Sequence, residues 1–101
     1  MRNEGGENEI HLQGSMSPIG RSQTEPIGAS VDDDNLYINF YADLGSLNIA
    51  IYSATGGVAH TETVYAQAND SEQISLSGFA PGSYLVVFSN AHGSLMGKFD
   101  I

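Results

Sequence analysis

From Pro26 onward, apolar and polar residues take turns along the chain. In "NLYINFY" (35–41), Leu36, Ile38 and Phe40 fall on one side of an extended backbone, and Tyr37, Asn39 and Tyr41 on the other. "SLNIAIYS" (46–53) repeats the device with Leu47, Ile49 and Ile51. A period of two marks a strand with one buried face, because successive side chains point to opposite sides of a sheet. "PIGASV" (26–31), the β-branched "VAHTETVYA" (58–66), "EQISLS" (72–77), "GSYLVVFSN" (82–90) and "SLMGKFDI" (94–101) complete the series, with Tyr84, Val86 and Phe88 alternating against Leu85 and Val87. The breaks are equally regular. The acidic run "DDDN" (32–35), "ATGG" (54–57), Pro81-Gly82 and "NAHG" (90–93) separate the strands. The two glycines of "ATGG" are able to take the positive φ that a tight hairpin demands. Turns recur about every ten residues and no window sustains a helical apolar period, which is an all-β pattern.

Seven strands in about 75 residues, each buried on one face, predict two stacked sheets, with a closed barrel as the competing architecture. Tyr84 tips the balance. It follows a turn and starts the sixth strand, where immunoglobulin-like sandwiches place a tyrosine whose hydroxyl bonds back to nearby backbone, and Val86 takes the position of the usual second cysteine. The expected fold is therefore an immunoglobulin-like, two-sheet antiparallel β-sandwich over residues 26–101. Its last two strands are expected to be neighbours, with Tyr84, Val86, Phe88, Leu95, Phe99 and Ile101 in the core. Residues 1–25 read as a flexible polar lead-in, too poor in apolar surface to offset the cost of ordering it. Within them "EIHLQG" alternates Ile10 and Leu12 with polar neighbours and predicts a short edge strand at 9–13.

Composition narrows the function. Three Lys+Arg against 12 Asp+Glu give a formal charge of -9, and Lys98 is the only Lys or Arg after Leu36. Nucleic-acid affinity rests on clustered cations that release counterions, and no such cluster forms here. The same deficit argues against anionic membrane surfaces, and no segment approaches the roughly 20 apolar residues of a spanning helix. With no cysteine, disulfides, thiol catalysis and cysteine-bound zinc are excluded. "MRNEGGENE" lacks the apolar core of a signal peptide, which suits a cytosolic chain and equally a mature secreted one given a starting Met.

No catalytic constellation emerges. His11, His60 and His92 fall in the lead-in, a hairpin strand and a turn, no Gly-x-Ser-x-Gly elbow surrounds any serine, and the three histidines read as solvent-facing. Asp32, Asp33 and Asp34 are consecutive, so their carboxylates point in different directions, and neither the glycine nor the distal glutamate of a calcium loop follows. A polar turn explains them. Neither cofactor nor metal is expected. The outward positions are more informative: Tyr37 and Tyr41 on one sheet, and Tyr52, Leu85 and Val87 on the other, are the candidate interaction surface. Either these are apolar residues tolerated on central strands, the second group covered by Ile10, Leu12 and Ile19, or they mark contact with a partner, since contiguous exposed apolar area usually does.

"EIHLQGS", Arg21, "PIGASVDDDNLYINFYADLGSLNIAIYSATGGVAH" and "GSYLVVFSNAHGSLMGKFDI" together resemble a small domain-of-unknown-function family in secreted proteins of Bacteroidetes gut bacteria. The resemblance runs from Glu9 to Ile101 and implies an immunoglobulin-like fold, export, and no assigned activity to transfer. The tail, with Gly82, Tyr84 and Lys98, is also similar to C-terminal sorting domains of a Bacteroidetes secretion system, although those follow a larger cargo domain. The combined expectation is an extracytoplasmic, non-catalytic domain that binds a protein or a glycan. The alternatives are a sorting or surface-attachment module and a carbohydrate- or peptide-binding module using Tyr37 and Tyr41, and self-association through edge strands is a further option.

Overall fold

The computed structural model describes residues 7–16, 26–32 and 34–101. Its strands are β1 (Glu7–Ile10), β2 (Gln13–Met16), β3 (Ile27–Asp32), β4 (Asn35–Phe40), β5 (Gly45–Ser53), β6 (Val58–Ala66), β7 (Ser71–Ser75), β8 (Ser83–Asn90) and β9 (Gly93–Asp100). Two sheets result, one ordered β1-β3-β4-β7 and the other β2-β9-β8-β5-β6. Every pairing is antiparallel, and the described residues contain no helix.

The core lies where the alternation puts it. Leu36, Ile38 and Phe40 of β4 face Leu47, Ile49 and Ile51 of β5 and Val86 and Phe88 of β8, and none of these eight is more than 1% exposed. Leu95 and Phe99 are buried beside them, and Ile101 packs half-buried against the cluster. The carboxyl-terminal strand pairs with β8 along its whole length, and Ile101 extends the ladder by exchanging backbone hydrogen bonds with Gly82 at 3.1 and 2.8 Å. Tyr84 forms the expected corner: its hydroxyl donates to the Ala80 carbonyl at 2.6 Å, and its ring lies 5.5 Å from Phe79 and 5.8 Å from Phe99. Tyr84→Phe is expected to lower the unfolding free energy by about 1 kcal/mol, the usual net worth of one such bond, read from urea midpoints. An unchanged midpoint would show that the hydroxyl contributes nothing.

The amino-terminal stretch differs from the single edge strand at 9–13. Residues 7–16 form two strands separated by His11 and Leu12, and the chain changes sheets at that bend: β1 pairs with β3, β2 with β9. Ile10 enters the core from one sheet and Met16 from the other, while Leu12 packs half-buried at the bend. This arm is part of the sandwich. The alternation of Ile10 and Leu12 straddles the bend, so a two-residue period there reads as one strand. The remainder of the lead-in, with Ile19 and Arg21, and also Asp33 lie outside the described residues.

Candidate functional site

The registers arrange the outer face of the five-stranded sheet in rows. Tyr52 of β5 stands opposite Leu85 of β8, which stands opposite Lys98 of β9. The next row runs Ala50, Val87, Met96 and, across to β2, Gln13. With strands about 4.8 Å apart, each row spans 10–15 Å, roughly. An open groove of ≈ 520 Å³ lies along the first row, bounded by Tyr52, Ser53, Gly56, Ser83, Leu85 and Lys98. A second depression of ≈ 300 Å³ shares Leu85 and Lys98 and continues over Met96 to His11 and Gln13. The two make one trough across the strands, apolar along its floor and edged by hydroxyls, an amide and an ammonium.

Two of the three residues expected to cover this face are elsewhere, and the third, Ile19, lies outside the described residues. Ile10 and Leu12 pack into the core and not over Leu85 and Val87. β9 leaves room for the arm on the inner side, where the inward-facing Gly97 has no side chain. Among the described residues the band from Tyr52 to Met96 stays open to solvent, with Tyr52, Leu85 and Val87 half-buried and Met96 42% exposed. Lys98 is the only Lys or Arg among the described residues, and it forms no ion pair with any of them. Asp100, two residues on along the same face, accepts a hydrogen bond from Ser83 at 2.8 Å.

The five candidate interaction residues do not form one site. Tyr37 and Tyr41 occupy the outer face of the four-stranded sheet, a sandwich thickness away from Tyr52, Leu85 and Val87. Tyr37 is half-buried, whereas Tyr41, just beyond β4, is 54% exposed, with its hydroxyl over Gly28. Four residues of strand, about 13 Å, separate them, so they are two isolated rings. Met96 and Lys98 join the second group although the sequence reading passes them over. Their outward direction follows from Leu95 and Phe99 pointing in; that they border Leu85 follows only from the β8–β9 register.

The histidines stay apart from one another. His11 lies at the arm's bend, and His92 sits in the β8–β9 turn, where its backbone N–H donates to Asn90 Oδ1 at 2.8 Å. His60 departs from the solvent-facing expectation. It stands opposite the inward Ile51, is half-buried, and meets Glu62 Oε1 through Nε2 at 2.8 Å. Edge position explains this: β6 ends its sheet, so its inner face is only partly covered. The described residues bring no three His, Asp or Glu side chains together around a metal-sized space. Asp32 ends β3, and Asp34 accepts the Leu76 N–H through its carbonyl, so this run shapes the turn.

The sequence model of a family called domain of unknown function DUF3244 matches residues 9–101. The chain belongs to that family. Among solved structures, a DUF3244 protein from Bacteroides vulgatus, described as having an immunoglobulin-like β-sandwich fold, superposes with a TM-score of 0.79 at 22% identity. The match covers 94% of this chain and 98% of that one, so the immunoglobulin-like sandwich is the fold of this DUF3244 member as well. No curated protein matches the chain. Family and fold thus carry an architecture that is not typically catalytic.

Proposed function

We propose that this DUF3244 domain is an exported, non-catalytic binding module, and that it binds through the outer face of its five-stranded sheet. The observation that carries the reading is the trough that the described residues leave open from Tyr52 over Leu85 and Lys98 to Met96 and His11. Apolar floor, few polar groups at the rim and a rigid sheet beneath are the usual ingredients of a recognition surface. A partner protein or a glycan fits this chemistry. Export rests on the likeness to secreted Bacteroidetes proteins, and the sorting role retains Gly82, Tyr84 and Lys98 as its basis.

The dye 8-anilinonaphthalene-1-sulfonate, an apolar ring system with one negative charge, probes the trough directly. The native protein is expected to enhance its fluorescence, and Leu85→Ser with Val87→Thr to abolish the enhancement. Each substitution is expected to cost about 1 kcal/mol in stability, roughly half of full burial, because both side chains are half-buried. An equal signal from the cooperatively folded double variant would remove the site from this face. Fusing the domain to a reporter and finding the reporter retained inside the cell would remove the sorting alternative.

A further inference from the structure

We infer that β6 is a self-pairing edge, through which two copies of this chain join their five-stranded sheets about a two-fold axis passing at Thr61. A sandwich of two open sheets has four edge strands, each presenting unpaired backbone N–H and C=O groups. Here β1 and β2 are four residues long, β7 is five, and β6 is nine. Short edges discourage pairing; a long one invites it. Val58–Ala66 contains no Pro, Gly or Lys, and carries two of the large apolar residues that stand most exposed, Val58 at 62% and Tyr65 at 69%. Its one irregularity is a bulge at the Val58 end, where Tyr52 pairs with Val58 but Ile51 with His60.

His60 and Glu62 decide which strand fits. Both are on the inner face, side by side and hydrogen-bonded at 2.8 Å. A hydrogen-bonded imidazole–carboxylate pair at this position disfavours an apolar strand but accepts one presenting the same two groups in the opposite order, and like charges directly opposite are destabilising. Read antiparallel, the strand's own copy presents that order. With Thr61 opposite Thr61, His60 faces Glu62 of the second copy and Glu62 faces its His60, giving an alternating ring of four groups. Ala59 then faces Thr63, and the ladder ends at the bulge. Centring the pair on Glu62 would oppose two carboxylates, and centring it on Thr63 would set Glu62 against Val64. Of these registers, only the one centred on Thr61 gives the imidazole and the carboxylate complementary partners across the axis. Thr61 itself is on the outer face and exposed, opposite Ala50, so the axis is sterically open.

Sedimentation of the full chain over a wide concentration range tests this. The mass is expected to rise reversibly from 10.7 kDa towards its double. Glu62→Lys is expected to hold the folded protein at monomer mass, and His60→Glu combined with Glu62→Lys, which restores opposite charges across the axis, to recover the dimer. The chain has no cysteine, so Thr61→Cys offers a register test. It is expected to form a covalent dimer at least about tenfold faster than Thr63→Cys, whose partner across the axis is Ala59. Monomer mass at every concentration, failure of the folded double variant to recover association, or equal cross-linking of the two cysteine variants would each overturn the inference.

Discussion

A chain lacking residues 95–101 is expected to show no cooperative thermal transition. These residues end the sequence, yet β9 is an interior strand of the five-stranded sheet, held between β2 and β8. Removing them takes Leu95 and Phe99 from the core and leaves Val86 and Phe88 without their neighbours. It also removes the β9 partners of Gln13 and Gly14 in β2, and the Phe99 ring stacked on Tyr84. Each large apolar side chain lost from burial costs about 1.5–3 kcal/mol. Domains of this size are stable by only about 5–15 kcal/mol, so losing two buried residues and exposing several others consumes the margin. Calorimetry or circular dichroism of the truncated protein decides the matter: a single sharp melt with a native-like sheet spectrum would refute the assignment of β9 as a central strand.

Most of this architecture is legible before any coordinates, and the reason is physical. Leu36, Ile38 and Phe40, or Tyr84, Val86 and Phe88, encode their direction locally, because a two-residue period leaves only two faces to choose between. The turns are local too. "NAHG" is the β8–β9 turn, and "ATGG" closes β5 onto β6 with Gly56 at a φ of 97°. What local pattern does not encode is partnership. Whether residues 7–16 make one strand or two depends on β3 and β9, which belong to different sheets and lie far along the chain. The bend at His11 and Leu12 has neither proline nor glycine to announce it.

The candidate surface divides along the same line. That Tyr52, Leu85 and Val87 share an outer face can be read from alternation once the strands are placed. That Met96 and Lys98 border them comes from register and strand order, which are non-local. The His60–Glu62 contact shows the limit from the other direction. An i, i+2 pair in a strand is visible in "HTE", but whether it faces solvent or the interior depends on β6 being opposite Ile49 and Ile51 at a sheet edge.

The second large effect concerns the seat of the arm. Gly97 has no side chain to contribute to the core, yet it stands between Leu95 and Phe99 on the inward face of β9. A Cβ built there would lie 2.6 Å from Ile10 Cγ2, 2.8 Å from the His11 carbonyl oxygen and 2.9 Å from Leu12 Cδ2. Gly93 is constrained in the same way by the Ser15 backbone, and it adds a φ of 147° that side chains avoid. Ile10 and Leu12 are flexible enough to yield; the His11 carbonyl is backbone and yields only if the arm moves. Gly97→Val is therefore expected to unseat residues 7–16 and to cost about 1–3 kcal/mol for the overpacking, with further loss as Ile10 and Met16 leave the core. Hydrogen exchange locates the damage: protection should fall first along β1 and β2 and along their partners β3 and β9, while the β5–β6 hairpin keeps its own. If instead the variant melts like the wild type and Ile10 to Met16 exchange as slowly as before, the arm does not depend on a glycine at position 97, and its place between the two sheets would have to be rebuilt on other contacts.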